Sequence, residues 1–285
     1  MSENEPRLWL VATPIGNLDD IAPRAVEVLS SVSFVACEDT RRSGLLLQRL
    51  GIAGRRLVAM HEHSEASVAA EIVQRLKAGE TAAYITDAGM PAISDPGQRL
   101  VAVTASAGIG VSAIPGPSAP VTALAVSGLP TDRWVMEGFL PRKGRARSQR
   151  LDGIAAEQRT VILLESPKRL GATLDDLAEV CGADRPAVVV REMTKLHEEV
   201  ARGTVAELAA RFAEPPRGEI VVVLGPAISQ PPADAQITAE LHRELDAGAT
   251  PRDAATAVAQ RLGVARNRTY RMSTELARSL DPRMP

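Results

Sequence analysis

Five short apolar runs punctuate the first 116 residues: RLWLVATP (7–14), VSFVAC (32–37), RRLVAM (55–60), TAAYIT (81–86) and GVSAIP (110–115). Between them, DDIAPRAVEVLSSV, SGLLLQRLG, SEASVAAEIVQRLKAGE and DPGQRLVAVTASAG carry apolar residues at three-to-four spacing, several closing on glycine. Short strands alternating with amphipathic helices predict βαβ units and a mostly parallel sheet. A second set follows, with strands RWVMEGF (133–139), RTVILLES (159–166), PAVVVRE (186–192) and GEIVVVLG (218–225), and helices ARSQRLDGIAAEQ, KRLGATLDDLAEVCG and TVAELAARFAEP. The pattern predicts two α/β lobes, residues 1–116 and 117–228, joined through the segment around 116–132.

Past the proline-rich GPAISQPPADAQ (225–236) the pattern turns wholly helical, and residues 237–285 form a separate helical module. Thr250 and Pro251 offer an N-cap and a first-turn proline, Gly263 a tight turn, and the last helix carries Arg266, Arg268 and Arg271. This spacing resembles a helix-turn-helix; a helical cap or dimer contact fits the same pattern.

Composition narrows the function. With 45% hydrophobic and 24% charged residues, the 285-residue chain is an ordinary globular protein rather than a disordered or fibrous one. The net charge of −2 means that any nucleic-acid binding must come from local patches. Aromatics at 2% argue against a row of stacking rings as the binding device. Cys37 and Cys181 are too few for a disulfide framework, and no apolar run approaches the ~20 residues that span a bilayer. The expectation is a soluble cytoplasmic protein that engages no membrane.

In open α/β sheets, ligands collect beyond the carboxyl ends of strands. Seven such ends are polar or turn-forming here: TPIGNLDD (13–20), CEDTRRS (37–43), HEHSE (61–65), TDAGMPAISDPG (86–97), PGPSAP (115–120), ESPKR (165–169) and REMTKLHEE (191–199). No Walker A motif is present, GPS lacks a nucleophile elbow, and GIGVSA (108–113) follows a helix and enters a strand, the reverse of a dinucleotide fingerprint. His61 and His63 could ligate a metal only if a carboxylate joined them; solvated or substrate-facing histidines are the better reading, and no metal is expected.

The loop at 86–97 presents acid where phosphate loops present lysine. The segment IPGPSAPVTALAVSGL places Ser118 at the N-cap of a helix whose free amides can bind a carboxylate. Acceptors for an ammonium facing donors for a carboxylate suit S-adenosylmethionine, although an amino acid or a nucleoside would satisfy much of the same chemistry. Asp87 is the stronger candidate acid of the pair, since Asp95, followed by Pro96 and Gly97, is expected to cap the next helix. PRKGRARSQR (141–150) carries Arg142, Lys143, Arg145, Arg147 and Arg150 without an acid, which suits a phosphate backbone.

WLVATPIGNLDDI, CEDTRRSGLLL, YITDAGMPAISDPG, IPGPSAPVTALAVSGL, GFLPRKG, ESPKRL and REMTKLHEE, in this order over about residues 7–225, resemble the ribosomal-RNA branch of the tetrapyrrole methylase superfamily, the small-subunit methyltransferases of type I. The resemblance implies two α/β lobes with S-adenosylmethionine in the cleft between them, a homodimer, and 2'-O-ribose methylation of a decoding-centre cytidine in 16S rRNA of the small subunit. Matched by position, Pro14, Asp87, Ala88, Gly89, Ile93, Ser94, Ser118 and Ala119 would contact the cofactor, with Phe139, Pro167, Gly218 and Glu219 contributed by the second lobe. Glu38, Asp39, Glu165 and Glu192 are candidates to accept the hydroxyl proton, and Lys195 or Arg41 to hold a phosphate. Each is equally readable as a helix cap or an ion-pair partner. The alternatives are a precorrin-type tetrapyrrole methyltransferase, disfavoured because TPIGNLDD and TDAGMP replace that branch's loops, and a non-catalytic ribosome-assembly factor.

Overall fold

The computed structural model describes residues 7–61, 64–227 and 233–280, and it divides after Ala227 into two units. In the first unit, the five apolar runs form β1 (Leu8–Val11), β2 (Phe34–Cys37), β3 (Arg56–Ala59), β4 (Ala82–Ile85) and β5 (Val111–Ile114). All pair in parallel in the order β3-β2-β4-β1-β5. The connections are α1 (Pro23–Ser31), α2 (Thr40–Arg49), α3 (Glu65–Lys77) and α4 (Gln98–Ser106). β2 and β4 are buried at every position because helices cover both faces. Alternation along the strands sends Val35, Ile85 and Val11 to a cluster with Leu29 and Leu47, and Phe34, Tyr84 and Leu8 to one with Ile72, Leu76 and Leu100.

α5 (Ala119–Ser127) packs on a second sheet through Ala123 and Leu124, against Ile162, Val188, Val221 and Val223. Its strands are β6 (Trp134–Phe139), β7 (Thr160–Glu165), β8 (Pro186–Arg191), β9 (Glu199–Thr204) and β10 (Ile220–Leu224), with α6 (Arg145–Ala156), α7 (Leu170–Cys181) and α8 (Val205–Arg211) between them. The order is β6-β7-β10-β8-β9. Only β6 and β7 are parallel; β10 inserts antiparallel between β7 and β8, and β9 returns antiparallel along β8. Sequence pattern missed β9, because EVARGT is an edge strand whose charged positions obscure any apolar alternation. REMTKLHEE is therefore largely the turn of a hairpin between β8 and β9. Arg185, 1% exposed, donates to the carbonyls of Ile154, Glu157 and Gly225, tying the end of α6 to the end of β10.

The second unit holds α9 (Asp234–Asp246), α10 (Pro251–Leu262) and α11 (Arg266–Leu280) around Ile237, Leu241, Ala254 and Val258. α9 begins a turn earlier than the apolar pattern indicated. Thr250 accepts from the Asp253 amide as N-cap, and Gly263 ends α10 in the left-handed region, both as expected from the sequence. The hydroxyls of Thr269 and Ser273 donate to the Ala255 and Pro251 carbonyls, so α11 packs closely on α10. Among the described residues no helix is long and apolar enough to cross a membrane.

Candidate active site

Three loops leave the carboxyl ends of neighbouring strands β4, β1 and β5, and backbone bonds lock the first two together. Thr13 and Gly89 exchange amide-to-carbonyl hydrogen bonds of 2.9 and 3.0 Å. Gly89 has φ 79°, a left-handed conformation that a side chain would strain even though a Cβ there would meet Ile15 only at ordinary contact distance. These loops and the second sheet enclose a cavity of about 370 Å³. The first lobe contributes Ala88, Gly89, Ile93 and Ser94 to its wall, with Ser118 and Ala119 from the start of α5. Across from them stand Phe139, Pro167, Gly218 and Glu219.

Several local features aim these groups. A register shift between Met136 and Gly138 bulges β6, and Phe139 just beyond it stands 57% exposed in the wall of the cavity. Ser118 occupies the N-cap of α5 but its hydroxyl makes no capping bond, leaving it and the first amides of α5 to the cavity. Ala92 and Ser94 (φ 66° and 63°), with Glu192 and Thr194 (φ 52° and 63°), are the non-glycine residues of positive φ among those described. Both pairs sit in loops beside the cavity, where such strain is typically retained for function.

Asp95 lines the cavity and does not cap α4, contrary to the sequence expectation. Glu65 does so from the start of α3, its Oε1 accepting from the amides of Gly97, Arg99 and Leu100 at 3.0, 2.9 and 3.3 Å. Gly97 cannot carry a capping side chain, since a Cβ there would lie 2.6 Å from the Tyr84 ring. Burial, reinforced by the carboxylates of Glu38 and Asp87, pushes Asp95 up to about 6. Asp87 is not in the wall of this cavity; it faces a second one and pairs with Arg42 at 2.7 Å.

That second cavity, about 260 Å³, shares Ile15, Ala88 and Glu219 with the first and includes Pro14 and Lys195. Lys195 Nζ bridges Glu192 Oε1 and Glu219 Oε2 at 2.9 and 3.0 Å. Partial burial disfavours the ammonium, but hydrogen bonds to Glu192 and Glu219 outweigh it and raise Lys195, while the Lys195 bond holds Glu192 below the usual carboxylate range. Glycine is required at both contacts of this bridge: a Cβ on Gly218 would fall 2.2 Å from Glu192, and one on Gly16 2.6 Å from Lys195.

The other candidate bases are engaged elsewhere. Asp39 caps α2 through the amides of Arg41 and Arg42, the first of which chiefly lowers it. Glu165 is buried in the wall, its oxygens held by the Thr173 hydroxyl and the Ser166 amide at 2.7 Å each, with Arg169 at 3.3 Å. Glu38, raised by burial and then by Asp87, lines neither cavity. Of the seven polar strand ends, the described residues of 61–65 alone border neither cavity, in keeping with β3 at the sheet edge; Glu62 and His63 lie outside the described residues. Among the described residues no cluster of metal-ligating side chains forms.

The basic segment divides. Arg142, Lys143 and Arg145 are exposed, whereas Arg147 is turned inward, 12% exposed, against Asp176 at 2.6 Å, the Pro141 carbonyl and the Thr173 hydroxyl. Its assignment to RNA is therefore corrected: its charge is spent in anchoring α6 on α7. Arg150 pairs with Glu137 at 2.8 Å. In the second unit Arg266 and Arg271 are exposed, and Arg268 reaches Asp234 at 2.6 Å.

The donor set fits S-adenosylmethionine. The α5 amides and Ser118 suit its carboxylate, Asp95 its ammonium, and Ile93 and Phe139 its apolar base.

The tetrapyrrole (corrin/porphyrin) methylase family model matches residues 7–209. The chain is 45% identical over 274 residues to the ribosomal RNA small subunit methyltransferase I of Mesorhizobium japonicum, covering 95% of this chain and 92% of that one. It is 44% identical to the protein of the same name from Synechocystis, covering 94% and 98%. A solved uroporphyrin-III C-methyltransferase of Thermus thermophilus, complexed with S-adenosyl homocysteine, shares the fold with a TM-score of 0.54 at 20% identity, over 77% of this chain and 97% of that one. The chain belongs to the tetrapyrrole methylase family and, within it, to the ribosomal RNA small subunit methyltransferase I group.

Proposed function

We propose that this S-adenosylmethionine-dependent methyltransferase modifies the ribose 2'-oxygen of a decoding-centre cytidine in 16S rRNA, acting on the small ribosomal subunit in the cytoplasm as a homodimer. The observation that carries the reading is the junction of two unlike cavities at Ile15, Ala88 and Glu219, one suited to the methyl donor and one bordered by Arg42, Arg49 and Lys195. A porphyrinoid acceptor would leave the exposed Arg142, Lys143 and Arg145 without a role. The names of the relatives supply the substrate class.

The bound cofactor supplies a methyl group on a sulfonium, already a good leaving group. The work left to the protein is alignment of a ribose oxygen with that carbon, and a place for the hydroxyl proton. Glu219, which borders both cavities, accepts the hydroxyl hydrogen bond in this reading, and Lys195 fixes its carboxylate. Glu192 is a positioning residue for Lys195.

The test is methyl incorporation into isolated small subunits and into naked 16S rRNA, with ribose methylation mapped. Incorporation at a single decoding-centre ribose is expected. Protein that binds the cofactor saturably yet labels neither substrate would overturn the reading.

A further inference from the structure

The wall of the second cavity includes a stripe along one helix. Arg42, Ser43, Leu46 and Arg49 of α2 all border it, positions i, i+1, i+4 and i+7 of a single helical face. The backbone positions of the two arginines therefore lie about 10.5 Å apart along the helix axis, given a rise of roughly 1.5 Å per residue. Opposite them lie Pro14, Gly16 and Leu18, and Lys195 closes the far side. Arg41, the arginine that the sequence suggested for a phosphate, points away at 94% side-chain exposure and borders neither cavity.

The charges in this wall are not equivalent. Arg42 is matched by Asp87 and Lys195 by Glu192 and Glu219. Arg49 is exposed at the rim and has no ion-pair partner among the described residues. A cavity with one unmatched guanidinium, one guanidinium in an exchangeable surface pair, and apolar patches from Pro14, Leu18 and Leu46 fits a group that is part sugar and part phosphate. Its wall is continuous with that of the first cavity through Ile15, Ala88 and Glu219, the placement a methyl acceptor would need beside a methyl donor.

We propose that the second cavity seats the ribose-phosphate of the target nucleotide, with Arg49 and Arg42 as ligands of its flanking phosphates. Guanidinium forks match phosphate oxygens bidentately, which fixes register along the strand as well as adding affinity. Asp87 holds Arg42 extended over the cavity until phosphate replaces it, so this carboxylate serves the acceptor's ligand rather than the cofactor. The assignment rests on the RNA-methylation reading above.

The test uses the full-length protein with isolated small subunits. Arg49→Glu is expected to raise KM for subunits about tenfold or more, and to lower the slope of binding against log salt by about one, while leaving cofactor affinity by calorimetry unchanged. Arg49→Lys should recover part of the loss, because it restores the charge without the fork. Wild-type activity accompanied by an unaltered KM and salt slope in Arg49→Glu would overturn the cavity assignment alone. Cofactor-bound wild-type protein that methylates no RNA would overturn the parent reading and this assignment together.

Discussion

Asp87 and Asp95 stand eight residues apart in one loop, and the fold gives them opposite surroundings. Asp87 meets Arg42, while Asp95 faces the cavity among carboxylates and is pushed up to about 6 from an ordinary 3.8. A carboxyl whose pKa is raised in the folded state favours folding only while protonated. That contribution is present below pH 4 and is lost as the pH rises through about 6. Asp95→Asn should therefore stabilise the cofactor-free protein by roughly 1–2 kcal/mol above pH 6, with the gain vanishing toward pH 4; urea melts at both pH values check this. The same variant should bind S-adenosylmethionine several-fold more weakly by calorimetry, since the cation loses its acid. The sequence marked this loop as acidic, but which acid turns inward depends on Gly97 and on Arg42, a residue 45 positions from Asp87.

At the scale of elements, α4 is held by a cap from outside itself. Glu65 Oε1 takes the hydrogen bonds of the Gly97, Arg99 and Leu100 amides, so Glu65→Ala strips the helix start bare. A loss of about 1–2 kcal/mol in chemical denaturation is expected, with weaker cofactor binding under the proposed reading, because the loop that lines the first cavity runs directly into α4. Nine of the ten strands among the described residues were legible as apolar runs, and their ends as polar or glycine-rich turns. β9 was not, because an edge strand needs little apolar alternation, nor was the bulge in β6 that presents Phe139. The antiparallel insertion of β10 was equally hidden, since its buried VVVL reads the same in either direction.

Across the whole molecule, the charges nearly balance at a net −2 and act locally. Arg142→Glu combined with Arg145→Glu should weaken RNA binding and lower its salt slope by about two, leaving thermal stability unchanged. Arg147→Glu should instead destabilise the fold by about 3 kcal/mol, because it sets a second carboxylate against Asp176 in a poorly solvated position; a thermal melt separates the two outcomes. The two units draw their hydrophobic clusters from their own residues. Removal of residues 228–285 should accordingly spare cofactor binding and reduce methylation of the small subunit. Full activity of the shortened protein would reassign the helical unit to a role outside substrate binding.

The alternation of strands and helices, the parallel first sheet, the helical tail with its Thr250 cap and Gly263 turn, and the polar loops at strand ends can all be read from the chain alone. These follow from local periodicity and turn chemistry, which act over a few residues. It took the folded structure to place Asp95 rather than Asp87 in the wall of the first cavity, Glu65 as the cap of α4, Arg147 inside, and Arg42 and Arg49 at the border of a second cavity. Each depends on burial or on a partner tens of residues away, and a residue's charge in the sequence does not reveal which partner folding will bring to it.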